Sequence, residues 1–331
     1  MRILVTGGAG YIGSATTAYF LDAGHDVLVY DNLSHGYRAA VPEGAAFMQG
    51  DIGDQETLER AFQHYNPEAV VHFAAFIEAG ESMQNPGLYF HNNVAKAITL
   101  LDTMAAHSVR RMVFSSTAAL YATKDTPLTE EDPIDPVNAY GETKLMIERM
   151  LGWYRQVYGL HYCALRYFNA CGAMLDEAGR PIRGEAHRPE SHLIPLTLQV
   201  PLGQREAIHI YGTDYPTPDG TCIRDYIHVE DLAAAHVLAL ESLEDDGAQV
   251  YNLGSGSGYS VREVIEAARA VTGMAIPAVE ADRRPGDAPI LIASSEKIKR
   301  TLGWKPRFTD LKEIIHTAWV WHRSHPHGYD G

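Results

Sequence analysis

Short apolar runs alternate with amphipathic stretches through the first half of the chain. Residues 3–5 are apolar and lead into a helical pattern over 11–23. Residues 27–30 are followed by one over 54–65, and residues 69–73 by a long one over 86–107. An apolar run at 112–114, a helical pattern over 137–158 and an apolar segment at 161–167 complete the series. Strand-like runs that take turns with helix-length amphipathic segments predict βαβ units. The expected fold class is therefore α/β, with a doubly wound, Rossmann-type parallel sheet of six or more strands.

The texture changes after Asn169. Gly, Pro, Arg and His crowd residues 172–189, and loop signals recur at 212–220 and 283–289. Shorter helical patterns near 194–200, 229–243, 261–272, 294–302 and 311–322 predict a smaller C-terminal α/β lid on the carboxyl edge of the sheet, where such folds bind ligands. The expected division is residues 1–169 for the first unit and mainly 170–331 for the lid, with some later segments returning to the first unit.

Composition narrows the function classes. The 331 residues are 46% hydrophobic and 21% charged, so the whole chain is expected to fold. A formal net charge of −15 repels a phosphate backbone and argues against nucleic acid as a partner. No apolar run approaches the ~18 residues of a membrane span, and the N-terminal residues run into a strand rather than a signal peptide. Cys163, Cys171 and Cys222 are widely spaced and odd in number, which supports neither a disulfide framework nor a cysteine-based zinc site. A cytoplasmic protein without membrane or metal partners is the expectation.

Candidate chemistry begins at Thr6-Gly7-Gly8-Ala9-Gly10-Tyr11-Ile12-Gly13, between the first strand and the first helix. Gly7 permits a tight turn, Gly10 lets backbone approach a pyrophosphate at the helix N-terminus, and Gly13 allows close packing of helix on strand. Asp31 ends the second strand 18 residues beyond Gly13. A carboxylate there accepts hydrogen bonds from the adenosine ribose and repels an extra phosphate, so the expected cofactor is NAD rather than NADP. Asp51 and Ile52 close the third strand, where their side chains can flank the adenine.

Tyr140-Gly141-Glu142-Thr143-Lys144 sets a tyrosine and a lysine four residues apart, on one helical face. The Lys144 ammonium then favours the phenolate of Tyr140. Bringing a tyrosine from about 10 to near 7 needs roughly 4 kcal/mol, which one cation and a positive nicotinamide ring can supply. Tyr140 becomes a usable base at neutral pH. Phe114-Ser115-Ser116-Thr117 leaves a strand at the carboxyl edge, and Thr117 is the candidate to hydrogen-bond the reacting oxygen. An isolated Tyr-x-x-x-Lys also fits an exposed helical pair; the glycine loop and the hydroxyl strand at these separations favour the catalytic reading.

These stretches resemble the extended short-chain dehydrogenase/reductases, and within them the UDP-galactose 4-epimerase family, from the first residue to the last. The resemblance is carried by Val5 to Gly13, Asp31-Asn32-Leu33, Gly50-Asp51-Ile52, His72-Phe73-Ala74-Ala75, Gly80-Glu81-Ser82 and Leu165-Arg166-Tyr167-Phe168-Asn169. Gly220 to Val229, Tyr251-Asn252-Leu253-Gly254 and the Arg283-Arg284-Pro285-Gly286-Asp287 loop carry it further. By position, the resemblance implies that Asn32, Phe73, Ala74, Asn92, Lys144 and Tyr167 surround NAD beside Gly7, Gly10, Tyr11, Ile12, Gly13, Asp31, Asp51, Ile52 and Tyr140. It implies a UDP-sugar substrate held by Asn169, Leu193, Arg224, Tyr226, Arg284 and Asp287, with Phe168 and Leu291 near the sugar and Thr117, Tyr140 and Lys144 catalytic. It also implies a homodimer paired through the helices at 86–107 and 137–158, for which Leu100, Leu101, Met104, Met146, Met150 and Leu151 are available. Ile77 stands where the family often has a lysine that reaches the cofactor, and His192 where it has an asparagine that touches the nucleotide.

The implied activity is interconversion of UDP-glucose and UDP-galactose by transient oxidation at C4, with UDP-N-acetylglucosamine and its galactose epimer as further substrates. A nucleotide-sugar dehydratase needs an acid and a base after the hydroxyl residue, where this chain has Ala118-Ala119. Another NAD-dependent epimerase or decarboxylase on nucleotide sugars stays open, and so, more remotely, does a non-catalytic NAD(H) sensor on the same fold.

Overall fold

The computed structural model describes every residue except 123, 125, 244–246, 285–286 and 330–331. Strands β1 (Arg2–Thr6), β2 (Asp26–Asp31), β3 (Ala46–Gln49), β4 (Ala69–His72), β5 (Arg111–Thr117) and β6 (His161–Tyr167) lie in one parallel sheet, joined by a strand from the second half, Ala248–Leu253. The order is Ala248–Leu253, β6, β5, β4, β1, β2, β3, the doubly wound arrangement expected from the sequence. β3 is shorter than expected: it ends at Gln49, and Asp51 lies in the turn beyond it.

Residue alternation explains why the sheet is covered on both sides. Ile3, Val5, Val27, Val29, Val71 and Val113 point into one core with Phe20, Leu232, Ala235 and Leu240. Leu4, Leu28, Tyr30, Val70, Met112 and Phe114 point into the other with Leu58, Phe62, Leu100, Leu101, Met104, Ile147 and Leu151. Side chains of a strand alternate between faces, so an unbroken apolar run makes a strand buried on both. The helix Val229–Ser242 and the strand Ala248–Leu253 thus belong to the main layers although they follow residue 170 in the chain.

A second, smaller body is built on the carboxyl edge. β7 (Asn169–Cys171) pairs in parallel with Ile223–His228, which pairs in turn with Gly258–Ser260 and Ile290–Leu291. Its core gathers Ile194, Leu198, Tyr226, Val264, Ile265, Ile314 and Trp319, chiefly from the helices Leu193–Gln199, Val261–Thr272 and Leu311–Ser324.

The long helical pattern at 86–107 is not one uniform helix. It runs as Pro86–Tyr89, a π-helical stretch Phe90–Ala95, and Lys96–Ala106. The wide turn coincides with fully buried Asn93, whose amide accepts from the Phe76 N–H (2.8 Å) and donates to the Phe76 carbonyl (3.0 Å) and to Thr143 (3.1 Å). Such local widening often marks functional sites, and here it pins the loop after β4 to the helix that carries Tyr140. Among the described residues no helix is long and apolar enough to cross a membrane.

Candidate active site

The site forms where β1, β2, β4, β5 and β6 end together. At the end of β1, Gly7 has φ +73, and a Cβ there would lie 2.6 Å from the Ala74 nitrogen, so only glycine lets this turn meet the chain leaving β4. A Cβ on Gly13 would lie 2.3 Å from the Gly7 carbonyl oxygen, so the helix Tyr11–Asp22 could not sit so close to the turn with any other residue there. Gly10 caps that helix without any side-chain hydrogen bond, and its first turn carries no acidic residue. The result is a backbone-lined cradle at a helix N-terminus, suited to an anion.

Asp31 stands beside the cradle, nearly fully buried, and accepts from the N–H groups of Ala9 (3.0 Å) and Leu33 (2.8 Å). Burial pushes its carboxyl up from the ordinary value, against the pull of those two hydrogen bonds. Each carboxylate oxygen keeps a lone pair for a ribose hydroxyl. Farther out, Asp51 accepts from Lys96 (2.7 Å), Asn32 (2.9 Å) and the Gly53 N–H (2.8 Å). Burial opposes ionisation there, but these bonds prevail and hold the carboxyl below its usual value. An uncapped, glycine-lined helix terminus flanked by two carboxylates fits a dinucleotide such as NAD. Phe73 and Ala74 close onto it, both donating backbone N–H to the Thr6 carbonyl (2.9 and 3.2 Å).

Thr117 ends β5 opposite Tyr167 of β6, and its hydroxyl is near enough to the Tyr140 phenol to ease its ionisation. Tyr140 opens the helix Ala139–Tyr158, whose cap is Asn138, accepting from the Gly141 N–H (2.8 Å). The Tyr140 N–H donates to the Ser82 hydroxyl (3.1 Å), and Thr143 donates to the Tyr140 carbonyl (2.7 Å). Both ends of the tyrosine backbone are thereby held.

Lys144 is buried one turn on. Its Nζ donates to the Ser115 carbonyl (2.8 Å) and lies 6.0 Å from the centre of the Tyr140 ring. Burial drives the ammonium down to about 7, opposed by nearby Glu148. Burial likewise pushes the Tyr140 phenol up to about 12, eased by Thr117 and aggravated by Glu78. In the protein alone, desolvation outweighs a cation that points to a carbonyl rather than to the phenol oxygen, so the fall toward neutrality expected from Lys144 together with a positive nicotinamide ring needs the second charge as well as the first.

The nucleotide candidates gather in the second body. Tyr226 lies in register with Asn169, and Arg224 with Leu291. Asn169 donates to the Asp225 carbonyl (2.7 Å). Asp287 stands between two guanidiniums, Arg284 at 2.9 Å and Arg224 at 3.6 Å, and Arg224 also donates to the Ala288 carbonyl (2.7 Å). Pro285 and Gly286 of this loop lie outside the described residues. Leu291 and Phe168 each pack on a small apolar cluster of Leu120, Tyr121, Leu128 and Leu145. Leu193 begins a helix against the same body.

The structure also supplies partners that the sequence reading did not name as site residues. Ser82, Asn93, Glu148 and Arg166 each hold the Tyr140 helix or the end of β5. For Ser82 the only signal was the Gly80-Glu81-Ser82 stretch. The long-range pairing of Asn93 with Thr143 has no local pattern. Ile77 is exposed, and His192 turns into a cluster with Glu185 and Glu190.

The family model of the NAD dependent epimerase/dehydratase family matches residues 3–254. The chain is 53% identical, over 99% of its own length and 98% of the relative's, to a UDP-glucose 4-epimerase of Halalkalibacterium halodurans. It superposes on the crystal structure of a UDP-glucose 4-epimerase with a TM-score of 0.96 and 51% identity, covering 100% of both chains. It also superposes on the UDP-glucose 4-epimerase of Brucella ovis in complex with NAD, with a TM-score of 0.91 and 44% identity over 96% of this chain and 97% of that one.

Proposed function

The chain belongs to the NAD dependent epimerase/dehydratase family, and from that membership we propose that it interconverts UDP-glucose and UDP-galactose, inverting C4 through a transient ketone. The observation that carries the reading is the buried Tyr140 at the carboxyl edge, with Lys144 one turn on at 6.0 Å from its ring, Thr117 easing its ionisation and the glycine cradle beside it. Positions 118 and 119 offer no acid for eliminating water, which separates this reading from a dehydratase.

Residues 1–169 hold the cofactor and 170–331 mainly hold the nucleotide. Gly7, Gly10, Tyr11, Ile12 and Gly13 present backbone to the NAD pyrophosphate. Asp31, Asn32, Asp51 and Ile52 take the adenosine end, and Phe73, Ala74, Asn92, Lys144 and Tyr167 take the nicotinamide end. NAD, when bound, supplies a reversible hydride acceptor and a positive ring charge. Tyr140 takes the proton of the sugar's 4-hydroxyl, Thr117 holds that oxygen, and Lys144 adds positive charge as the phenolate forms. Arg224 and Arg284 clamp the diphosphate, with Asn169, Leu193, Tyr226 and Asp287 around the uridine. Anchoring the UDP through these residues would leave the sugar ring free to turn, so that either face of C4 could be presented to the nicotinamide end of the site. The test is incubation with a panel of UDP-sugars followed by NMR; inversion at C4 of the two hexose substrates supports the reading, and its absence in NAD-loaded protein opposes it.

Leu291 and Phe168 line the sugar end, and leucine leaves room for an acetamido group that a phenol ring would fill. UDP-N-acetylglucosamine is thus a further substrate, and Leu291→Tyr is expected to lower its kcat/KM by ~10-fold or more relative to UDP-glucose. Equal discrimination by parent and variant would remove Leu291 from the wall.

The protein acts as a cytoplasmic homodimer. Its three cysteines are buried free thiols, which suits a reducing compartment. Leu100, Leu101, Met104 and Leu151 do not offer a dimer face, because they are buried against the sheet; the period of the helices puts other residues outward. Trp153 and Val157, 65% and 64% exposed, lie one turn apart on the helix Ala139–Tyr158, and Ile98 and Leu88 are exposed on the neighbouring helices. Light scattering is expected to give twice the chain mass at micromolar concentration; monomer alone, or no effect of Trp153→Glu, contradicts this interface.

A further inference from the structure

The loop that leads into the helix Leu193–Gln199 carries Glu185, His187, Glu190 and His192, four metal-competent side chains within eight residues. One ligand atom from each lies within 4.8 Å of all the others. The separations between imidazoles and carboxylates are 2.7 and 3.3 Å from His192 Nδ1 to Glu185 and Glu190, and 3.0 and 3.9 Å from His187 Nδ1 to the same pair. Ligand atoms about 2.0–2.2 Å from a tetrahedral zinc ion stand about 3.3–3.5 Å apart, the middle of this range.

A second observation separates coordination from hydrogen bonding. His192 Nδ1 is buried and, despite its closeness to two carboxylates, has no partner in hydrogen-bonding geometry. A buried ring nitrogen 2.7 and 3.3 Å from two carboxylates without a hydrogen bond to either is placed to share a central ion. Charge points the same way: two carboxylates and one divalent cation balance with both imidazoles neutral. The loop backbone is already fixed, Trp321 donating to the Glu185 carbonyl and Tyr37 to the Ala186 carbonyl, both at 2.8 Å. Cysteine spacing speaks only against thiolate sites and leaves a His/Glu site open.

We propose that Glu185, His187, Glu190 and His192 bind one divalent transition-metal ion, zinc by their nitrogen and oxygen donors, as a structural clip. The clip lies between the two halves of the candidate site. The His187 ring meets Tyr11 of the glycine cradle edge-on at 6.2 Å, and His192 is the cap residue directly before Leu193. The ion thus ties the nucleotide-facing helix to the cofactor loop without touching the reacting atoms.

Untagged protein purified without chelator should contain close to one equivalent of zinc by plasma mass spectrometry. Exchange with dipicolinate and Co²⁺ should give the intense visible bands of a four-coordinate cobalt site. His187→Asn/His192→Asn should abolish uptake of either ion while circular dichroism reports a folded chain; if that variant does not fold, Glu190→Gln provides the same comparison. Native protein that folds with less than ~0.1 equivalent of metal and takes up neither added Zn²⁺ nor Co²⁺ overturns the proposal. So does full uptake by the folded double variant, which would place the ion elsewhere.

Discussion

Substituting Tyr140 by phenylalanine is expected to lower kcat by on the order of 10²–10⁴-fold while leaving affinity for UDP nearly unchanged. The expectation rests on what the hydroxyl touches. Thr117 is close enough to favour the phenolate, and the aromatic ring keeps its place because the backbone is held by Ser82 and Thr143. Removing one oxygen therefore removes the proton acceptor without disturbing the helix, and the nucleotide contacts lie on other elements. Turnover followed by NMR and UDP binding followed by calorimetry separate the two effects. A folded variant with near-normal turnover would show that another group takes the proton.

Glu148→Gln is expected to cost about 3–5 kcal/mol of stability, the usual loss when one member of a buried ion pair is removed. Glu148 receives Arg166 Nε at 3.0 Å and Nη2 at 2.5 Å, as well as the Ser116 hydroxyl at 2.6 Å. Both side chains of the pair are less than a tenth exposed. Arg166 continues to the Tyr121 hydroxyl (2.8 Å), which donates to Asn252 (2.7 Å). The amide cannot offset the guanidinium charge, which is left desolvated and unpaired. The carboxylate also supports the Lys144 ammonium, so the variant should lose activity as well as stability. Urea denaturation reads the first effect as a shifted midpoint with unchanged slope. The double variant Glu148→Leu/Arg166→Met should recover most of the stability but not the support of Lys144. A loss below ~1 kcal/mol in Glu148→Gln would mean that water reaches the pair.

Local signals made the frame legible. The unbroken apolar runs of β1 and β4 required burial on both faces, and the glycines at 7, 10 and 13 required a turn tight enough to strike Ala74 or the Gly7 carbonyl if substituted. Period and turn chemistry act over a few residues, so they can be read along the chain. The partners of Tyr140 were less visible. Ser82 and Asn93 act 58 and 50 residues away from Tyr140 and Thr143, and such pairings arise only once the layers are stacked. The balance of charge and burial at Tyr140 was hidden for the same reason: spacing reveals which charges are neighbours on a helix, whereas burial, which dominates in the protein alone, is a property of the assembled fold. Leu100 and Leu101 illustrate a related limit, since apolar residues on a long helix fit either a partner chain or the sheet beneath, and packing chose the sheet.

The central claim, inversion by reversible oxidation at C4 itself, is tested most directly with UDP-galactose deuterated at C4, incubated with the NAD-bound protein in ordinary water. A hydrogen that leaves C4 as hydride and returns to C4 never exchanges with solvent. The UDP-glucose formed should therefore retain deuterium at C4 through many turnovers, with NMR showing no protium entering that position. Product UDP-glucose carrying protium at C4 would contradict the account, because it would mean that the centre is inverted by removing and replacing a proton.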